Sequence, residues 1–459
     1  MQLDHTKAVF FLGIGGIGMS ALARYFHAQG LQVSGYDRTP SPLTRELEAE
    51  GIQISYDDQP SVLADWGLQP ATTLVVRTPA VPEDSAIYTY LREQGFIIKK
   101  RAEVLGDITR TKKALCVAGT HGKTTTSTML AHLLNGQGVN AFLGGISMNY
   151  HTNVLIAPES EYVVVEADEY DRSFYQLTPY ISVITAVDPD HLDIYGTPEA
   201  YRDAFAHYTS LITGALVMKH GIALQPRLQK GVKCYTYGIA EGDFYADNIR
   251  VGEGQIVFDF HAPDGKIVDV EPGVPVWVNI ENAVAALAVA WLCNGQRTED
   301  NGQWTKVLRE QIASFRGVQR RFNRHVNTAK VVYIDDYAHH PQEIATAIDS
   351  VRKVYPDRRL IGVFQPHLYT RTRDFADDFT RVLGTLDELI LLPIYPAREQ
   401  PIPGVTSEML GGQVVEKTDL IATLQQRVAE SKEPVVVMTI GAGDIDRLVP
   451  AITEALRDE

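Results

Sequence analysis

Residues 119–126 place a glycine pair, a lysine and a run of threonines between an apolar run, 114–117, and a helical pattern, 127–134. Backbone N–H groups at a helix start bind phosphate oxygens, and the helix dipole favours an anion there. Lys123 would reach the terminal phosphates, and Thr124 or Thr125 would ligate Mg²⁺. The pattern predicts a nucleotide phosphate site formed by Gly119, Thr120, His121, Gly122, Lys123, Thr124 and Thr125.

This phosphate-binding loop (residues 119–124) departs from the usual eight-residue pattern, because Val117 stands where the pattern has its first glycine. What remains is the tighter Gly-x-x-Gly-Lys-Thr, and short Gly-Lys-Thr strings also arise by chance in loops. The strand before it and the helix after it favour a nucleotide site over a chance match.

Glu166 ends the next apolar strand, 162–165, and opens a stretch with four acids within six positions. A carboxylate at such a strand end is typical of a ligand to the metal of a loop-bound nucleotide. Mg²⁺ prefers one or two carboxylates together with phosphates and water. Acids also cap strand ends without any function, but the neighbouring phosphate-binding loop favours the metal role for Glu166.

His191 follows the strand 181–187 and is flanked by acids. A lone histidine is usually structural. At the carboxyl end of a strand, where ligands sit in such sheets, His191 is a candidate second metal ligand. The predicted metal ligands are therefore Thr124, Glu166 and His191.

The chain begins with a β-α-β pattern that carries Gly-x-Gly-x-x-Gly at residues 13–18, the glycine loop, and an acid, Asp37, after the second strand. This pattern predicts a loop that cradles a pyrophosphate and a carboxylate that binds a hydroxyl. A nicotinamide dinucleotide is one such ligand. The alternative is that the loop binds no ligand and that its glycines only permit a tight turn between strand and helix. The predicted ligand-binding residues are Gly13, Gly15, Gly16, Gly18 and Asp37, with Thr78 in the loop after strand 73–76.

Four apolar strands, separated by helical stretches, recur in the last third of the chain, at residues 330–334, 360–364, 388–392 and 434–438. Polar loops follow these strands, which predicts a parallel, doubly wound sheet with its functional groups at one edge. Histidine, arginine and tyrosine at such an edge favour a carboxylate or phosphate site. Its candidates are Tyr337, His339, His367, Arg371 and Arg373.

The chain has 459 residues, 45% hydrophobic and 22% charged, which is typical of a globular protein of roughly two or three domains. A net charge of −15 argues against a partner that is nucleic acid or an anionic membrane surface. Three scattered cysteines suit a reducing cytoplasm, and residues 8–14 form neither a signal peptide nor a membrane span. We therefore expect a cytoplasmic monomer or homodimer without membrane insertion.

The predicted fold class is α/β with three domains. A Rossmann-like N-terminal domain covers residues 1–110, a central domain with the phosphate-binding loop covers 111–318, and a Rossmann-like C-terminal domain covers 319–459. The central domain would bind ATP, and each outer domain would bind another ligand. This arrangement favours an ATP-driven reaction that joins the two ligands.

The order of motifs resembles the Mur ligases of peptidoglycan synthesis, and most specifically their alanine-adding branch. The motifs run from Phe11 to Asp444 and read GIGGIGMSALA, GTHGKTTT, VVVEADEYDRSF, DPDHLDIY, NIENAVAALA, GVQRRF, DDYAHHP, FQPHLYTRTRDF and GAGDI. GTHGKTTT alone marks the wider superfamily, whereas FQPH…TRTRDF together with DDYAHHP indicates the alanine-adding branch.

The resemblance implies that ATP phosphorylates the carboxylate of UDP-N-acetylmuramate and that the amine of L-alanine attacks the acyl phosphate, with ATP and Mg²⁺ as cofactors. It assigns the UDP diphosphate to the glycine loop, ATP contacts to Asn282, Arg320 and Asp335, and the amino-acid side to Tyr337, His367, Arg371 and Arg373. The implied catalytic residues are Lys123, Glu166, His191, His339, His367 and Arg371.

Three alternatives stay open at this stage. A recycling ligase that adds a ready-made tripeptide shares the chemistry. A nicotinamide-dependent dehydrogenase would explain the glycine loop, but it leaves Lys123 and Glu166 without a role. A non-enzymatic nucleotide switch would not explain His339, His367 and Arg371.

Overall fold

The computed structural model describes residues 5–64, 66–252, 254–294, 302–397 and 399–457. It shows an α/β protein with N-terminal, central and C-terminal domains and three parallel-rich sheets, which confirms the predicted fold class. Its contacts group into two compact units: residues 1–247, 260–268 and 281–312, and residues 248–259, 269–280 and 313–459. The domain boundaries at 110 and 318 stay a prediction.

The N-terminal sheet has five strands in the order β3-β2-β1-β4-β5, and every pair is parallel. Its central strand packs Val9 and Phe11 into one core and Phe10 and Leu12 into another, which explains its uninterrupted apolar sequence. The elements are β1 (Ala8–Leu12), α1 (Ile17–Ala28), β2 (Gln32–Tyr36), α2 (Pro42–Ala49), β3 (Gln53–Ser55), α3 (Ser61–Ala64), β4 (Thr73–Arg77), α4 (Ala86–Glu93), β5 (Ile97–Lys100) and α5 (Arg101–Thr111).

The central sheet has ten strands in the order β15-β14-β13-β12-β11-β10-β6-β9-β7-β8, and β6 pairs in parallel with both β9 and β10. The carboxyl ends of β6, β9 and β10 therefore meet at one edge. The elements are β6 (Lys113–Ala118), α6 (Lys123–Asn135), β7 (Asn140–Phe142), β8 (Val154–Leu155), β9 (Tyr162–Glu166), β10 (Pro179–Ile184), α7 (Leu192–Tyr195), α8 (Pro198–Thr209), β11 (Ala215–Lys219), β12 (Lys233–Ile239), β13 (Phe244–Gly252), β14 (Gln255–Ala262), β15 (Gly265–Val270), α9 (Val278–Asn294) and α10 (Gln303–Ala313).

The C-terminal sheet has six strands in the order β16-β17-β21-β18-β19-β20. Only the edge strand β16 pairs antiparallel, so the carboxyl ends of the four predicted strands share one edge. The elements are β16 (Asn323–Asn327), β17 (Val331–Asp336), α11 (Pro341–Val354), β18 (Arg359–Phe364), α12 (Tyr369–Asp374), α13 (Ala376–Leu383), β19 (Glu388–Leu391), β20 (Gln413–Val414), α14 (Leu420–Glu430), β21 (Val435–Ile440) and α15 (Val449–Arg457).

The three cysteines differ in environment. Cys116 is buried in β6, Cys234 in β12 is exposed, and Cys293 in α9 is partly exposed. Burial raises the pKa of the Cys116 and Cys293 thiols to about 12. Across the part of the chain that the structure describes, no helix combines the length and the apolar character needed to cross a membrane.

Candidate functional site

The phosphate-binding loop connects β6 to α6 through two glycines with positive φ, +135° at Gly119 and +79° at Gly122. A Cβ atom on Gly119 would lie 2.1 Å from Oγ1 of Thr185, so no side chain fits there. Gly122 is the N-cap residue of α6, a 13-residue helix. The loop thus directs backbone N–H groups from a helix start, which is the predicted phosphate site geometry.

Thr120 anchors the loop to the segment after β10. Its backbone N–H donates to the carbonyl of Ala186 at 3.1 Å, and its hydroxyl donates to the carbonyl of Asp188 at 2.7 Å. The same hydroxyl lies 3.0 Å from the hydroxyl of Tyr201. His121 is adjacent, with Nε2 4.0 Å from a carboxylate oxygen of Asp188.

Lys123, the first residue of α6, is folded back onto its own loop. Its ammonium donates to the carbonyl of Gly119 at 2.6 Å and lies 2.9 and 2.8 Å from the two carboxylate oxygens of Glu169. The Glu169 side chain is only 2% exposed. Burial raises the pKa of Glu169, although Lys123 opposes that rise. In the sequence, Glu169 is one of four acids within six positions, and no motif distinguishes it from the others.

Glu166 ends β9, and its Cα pairs in register with Val117, directly before the phosphate-binding loop. The acid-bearing strand is therefore the direct neighbour of the loop-bearing strand. A Cβ atom on Gly144 would lie 2.1 Å from Oε2 of Glu166, so the carboxylate lies against bare backbone. No sequence motif marks Gly144 as part of this site.

The other two predicted metal ligands are Thr124 and His191. Thr124 is buried in the first turn of α6. His191 follows β10, has a φ of +51°, and its ring meets Tyr170 edge-on at 5.2 Å. Among the described residues, no group of three His, Cys, Asp or Glu side chains is arranged to hold a metal ion. A magnesium site made of Thr124, Glu166 and His191 stays a prediction.

Asn282, in α9, lies beside the phosphate-binding loop. Its side-chain oxygen accepts a hydrogen bond from the hydroxyl of Thr126 at 3.1 Å. A Cβ atom on Gly122 would lie 2.9 Å from the same oxygen. The structure therefore brings Asn282 to the start of α6, where the resemblance expects a nucleotide contact.

The glycine loop joins β1 to α1, and the predicted partners lie against it. A Cβ atom on Gly13 would lie 2.5 Å from a methyl group of Thr78. The N–H of Gly15 donates to a carboxylate oxygen of Asp37 at 2.7 Å. Gly16 is the N-cap of α1 and Gly18 lies in its first turn, which has no acidic residue. The arrangement leaves a helix start suited to an anion.

Arg101, at the start of α5, follows Lys99 and Lys100 in a basic run, a pattern that by itself indicates only a solvated face. Its Nη1 atom would lie 2.7 Å from a Cβ atom on Gly18, and its Nη2 lies 3.3 Å from a carboxylate oxygen of Asp168. The signal that could have found it is its position after β5, at the same sheet edge as Thr78. Arg101 adds a positive charge beside the glycine loop.

Asp335 and Arg320 lie together in the second unit. The buried Asp335 accepts a hydrogen bond from the hydroxyl of Thr439 at 2.9 Å, and its other oxygen lies 3.5 Å from Nε of Arg320. Burial raises the pKa of Asp335, and Arg320 opposes this. Arg320 also stacks over the Tyr337 ring, with its guanidinium carbon 5.2 Å from the ring centre.

The carboxyl ends of β17 and β18 carry the histidine cluster, formed by His339, His367, Arg371 and Tyr395. The two histidine rings are 6.3 Å apart, and His367 stacks on Tyr395 at 5.8 Å. Nη1 of Arg371 lies 3.4 Å from Nδ1 of His367. Because arginine only donates hydrogen bonds, Nδ1 accepts and the His367 ring is neutral.

Tyr337 and Arg373, the other two residues predicted for the amino-acid side, differ in their contacts with the histidine cluster. The Tyr337 ring meets His339 edge-on at 5.4 Å, so Tyr337 adjoins the histidine cluster. Arg373, two residues beyond Arg371 in α12, is exposed and pairs with Asp374 at 2.7 Å. Its predicted role has no support from these contacts.

We expect the His367 ring to titrate with a midpoint near pH 4 in an NMR titration of the folded protein, because burial and the Arg371 charge lower its pKa to about 4. An ordinary imidazole titrates at about 6.5. The unfolding free energy contributed by this neutral ring is therefore lost as the pH falls from about 6.5 to about 4. Arg371→Gln should raise the pKa of His367, and His367→Asn assigns the resonance. A midpoint near 6.5 would contradict the neutral cluster.

Three family models match consecutive parts of the chain: the Mur ligase family, catalytic domain over residues 8–113, the Mur ligase middle domain over 117–290, and the Mur ligase, glutamate ligase domain over 320–443. A UDP-N-acetylmuramate–L-alanine ligase of Phocaeicola vulgatus is 55% identical over 98% of this chain and 98% of that protein. The chain belongs to the Mur ligase family. It is an ATP-dependent ligase, as predicted.

Further Mur ligases extend this comparison. A UDP-N-acetylmuramate–L-alanine ligase of Flavobacterium johnsoniae is 44% identical over 100% of both chains. The crystal structure of a UDP-N-acetylmuramate-alanine ligase from Thermotoga maritima has a TM-score of 0.78 and 27% identity, covering 98% of this chain and 99% of that one. A murein peptide ligase from Psychrobacter arcticus has a TM-score of 0.64 and 21% identity over 99% of each chain, which supports the shared fold alone.

Proposed function

We propose that this Mur ligase joins the amino group of L-alanine to the carboxylate of UDP-N-acetylmuramate in peptidoglycan precursor synthesis. The observation that carries this proposal is the 55% identity to a UDP-N-acetylmuramate–L-alanine ligase over 98% of both chains. The recycling ligase is the weaker candidate, since the murein peptide ligase is only 21% identical. A dehydrogenase is set aside because it gives Lys123 and Glu166 no role.

The proposed reaction has two steps. The terminal phosphoryl group of ATP passes to the muramate carboxylate, which gives an acyl phosphate and ADP. The neutral amine of L-alanine then attacks the acyl carbon, the amide forms and inorganic phosphate leaves. The obstacle in the first step is the approach of two anions, so groups that neutralise charge as the phosphoryl group moves supply most of the catalysis.

Within the first unit, Lys123 would neutralise the moving phosphoryl group, and the N–H groups at the start of α6 would bind the other phosphate oxygens. Thr124 and Glu166 would hold Mg²⁺, with His191 near a second ion. Oxygen donors suit this ion, and the bare backbone of Gly144 leaves room for the Glu166 carboxylate. When bound, Mg²⁺ would add positive charge between the triphosphate and the carboxylate.

The glycine loop would hold the UDP diphosphate at the start of α1, with Asp37 and Thr78 lining that edge. Asp37 holds the loop in place by accepting a hydrogen bond from the N–H of Gly15. A carboxylate oxygen that accepts one N–H can accept a second hydrogen bond, so Asp37 can also bind a hydroxyl group of the ligand. Asn282, Arg320 and Asp335 are proposed ATP contacts. In the second unit, the guanidinium of Arg371 suits the carboxylate of L-alanine, beside His339, His367 and Tyr337, and Arg373 is kept as a weaker candidate.

The test is phosphate release from ATP, with each substrate omitted in turn. We expect turnover only when UDP-N-acetylmuramate and L-alanine are both present. Turnover with the tripeptide in place of alanine would reassign the chain to the recycling reaction, and no turnover with either would reject both. The cytoplasmic location and the monomer or homodimer stay predictions.

A further inference from the structure

Glu169 is a buried acid for which the proposed mechanism has no role. It lies three residues beyond Glu166, and its carboxylate contacts Lys123. A buried carboxylate persists only with a charged partner or several hydrogen bonds. Lys123 is that partner, so the pair has to be considered together.

The ammonium group of Lys123 has three protons, and the structure gives each of them an acceptor. The acceptors are the carbonyl of Gly119 at 2.6 Å, the carbonyl of Thr120 at 3.4 Å and Oε1 of Glu169 at 2.9 Å. A phosphate oxygen that takes one proton must replace one of these acceptors. The charge of the ammonium group is also already balanced by Glu169. The Glu169 carboxylate therefore competes with the phosphate for Lys123.

The turn that carries Glu169 is strained and tightly held. Asp171 and Arg172 both have positive φ, +51° and +53°, which residues with a Cβ atom rarely adopt. Arg172 stacks over the Tyr195 ring at 4.7 Å, and the Tyr195 hydroxyl donates to the backbone carbonyl of Glu169. Lys100 pairs with Asp171 at 3.4 Å. Strain of this kind persists where surrounding contacts fix it, and here those contacts fix the position of Glu169.

We propose that Glu169 is a positioning residue: it holds Lys123 folded back on the phosphate-binding loop, and the terminal phosphates of ATP displace it from the ammonium group. Glu169 thus weakens ATP binding in the ground state. The full charge of Lys123 becomes available only when a triphosphate is in place. This inference rests on the proposed function, since it requires that the loop binds ATP phosphates.

The test is Glu169→Gln in the full-length protein, which keeps the size and one oxygen but removes the competing charge. We expect calorimetry to show a non-hydrolysable ATP analogue binding on the order of tenfold more tightly. Adenosine, which has no phosphates, should bind as it does to the wild type. The KM for ATP and kcat should both fall, because Lys123 binds the ground state better and is oriented less well. A residue with a merely structural role would not lower the KM.

A second variant and a matched control complete the design. Glu169→Asp keeps the charge but withdraws it by one methylene, so its analogue affinity should be intermediate. Glu161→Gln breaks the exposed Lys113–Glu161 pair, 2.7 Å long, and should leave analogue affinity and turnover unchanged. Circular dichroism and thermal unfolding check that each variant is folded.

Each outcome decides between the proposals. If folded Glu169→Gln or Glu169→Asp binds the analogue no more tightly than the wild type, the inference is rejected and the proposed function stands. Tighter adenosine binding also rejects it, because the effect would then not act through the phosphates. If the wild type itself does not bind the analogue, the proposed function and the inference fail together.

Discussion

Replacing Lys123 with alanine should lower the rate of ATP-dependent turnover by about 10³-fold while leaving the affinity for UDP-N-acetylmuramate nearly unchanged. The substitution removes the charge that faces the phosphoryl group as it moves, and loss of one such donor costs about 10²–10³ in rate or more. UDP-sugar binding should persist because the glycine loop belongs to the N-terminal sheet, and the phosphate-binding loop belongs to the central sheet. Phosphate release and calorimetry measure the two quantities separately.

Lys113→Ala is the matched control for this experiment, since Lys113 begins β6, the strand before the phosphate-binding loop, and pairs with an exposed acid. Its turnover should equal that of the wild type. Parallel loss of turnover and UDP-sugar binding in Lys123→Ala would show that the two ligand sites are not separate.

The same substitution should also destabilise the fold, because it leaves the 2% exposed Glu169 side chain without its partner. Removing one member of a buried ion pair typically costs about 3–5 kcal/mol. The double variant Lys123→Ala with Glu169→Gln should regain part of this stability in a thermal unfolding experiment without regaining turnover. This comparison separates the structural effect of Lys123 from its effect on the reaction.

Gly144→Ala should lower turnover by about 10–100-fold with little change in the unfolding temperature. The new Cβ atom would lie 2.1 Å from Oε2 and 2.7 Å from Cδ of Glu166. The end of a glutamate side chain is flexible, so the carboxylate moves aside at small cost to the fold. Because Glu166 is the proposed Mg²⁺ ligand, displacing it weakens metal binding, as changes around a metal ligand commonly do.

The measurement is turnover as a function of Mg²⁺ concentration, in which Gly144→Ala should need more Mg²⁺ for half-maximal rate. Gly136→Ala is the matched control: it lies at the end of α6, and the nearest atom to its new Cβ would be 3.9 Å away. Wild-type turnover and Mg²⁺ dependence in Gly144→Ala would contradict the metal role of Glu166.

The strand order of the central domain explains why much of the site could be predicted. An apolar run followed by acids or histidine indicates a buried parallel strand with ligands at its carboxyl end. The pairing of β6 with β9 and β10 then places the segments that carry Glu166 and His191 on either side of Lys123. Periodicity and strand direction were sufficient for that step.

The contacts of individual side chains were beyond this reasoning. Glu166 ends β9 and three more acids follow it within five residues. Their spacing does not indicate that Glu169 turns inward to Lys123, because positive φ at Asp171 and Arg172 breaks the local pattern. Arg101 belongs to a short basic run, which usually indicates a solvated surface. Tertiary contacts instead bring its guanidinium against Gly18. The close approach of Gly144 to Glu166 depends on two segments far apart in sequence.

The environments of the three cysteines make the chain convenient for site-selective labelling. A thiol reacts with maleimides as the thiolate, and burial of Cys116 and Cys293 suppresses that form by raising their pKa to about 12. Cys234 is exposed in β12, three strands from β6 in the central sheet. Burial also raises the pKa of the Cys234 thiol, but its exposure makes it the preferred attachment point for a fluorophore, away from the strand that carries the phosphate-binding loop.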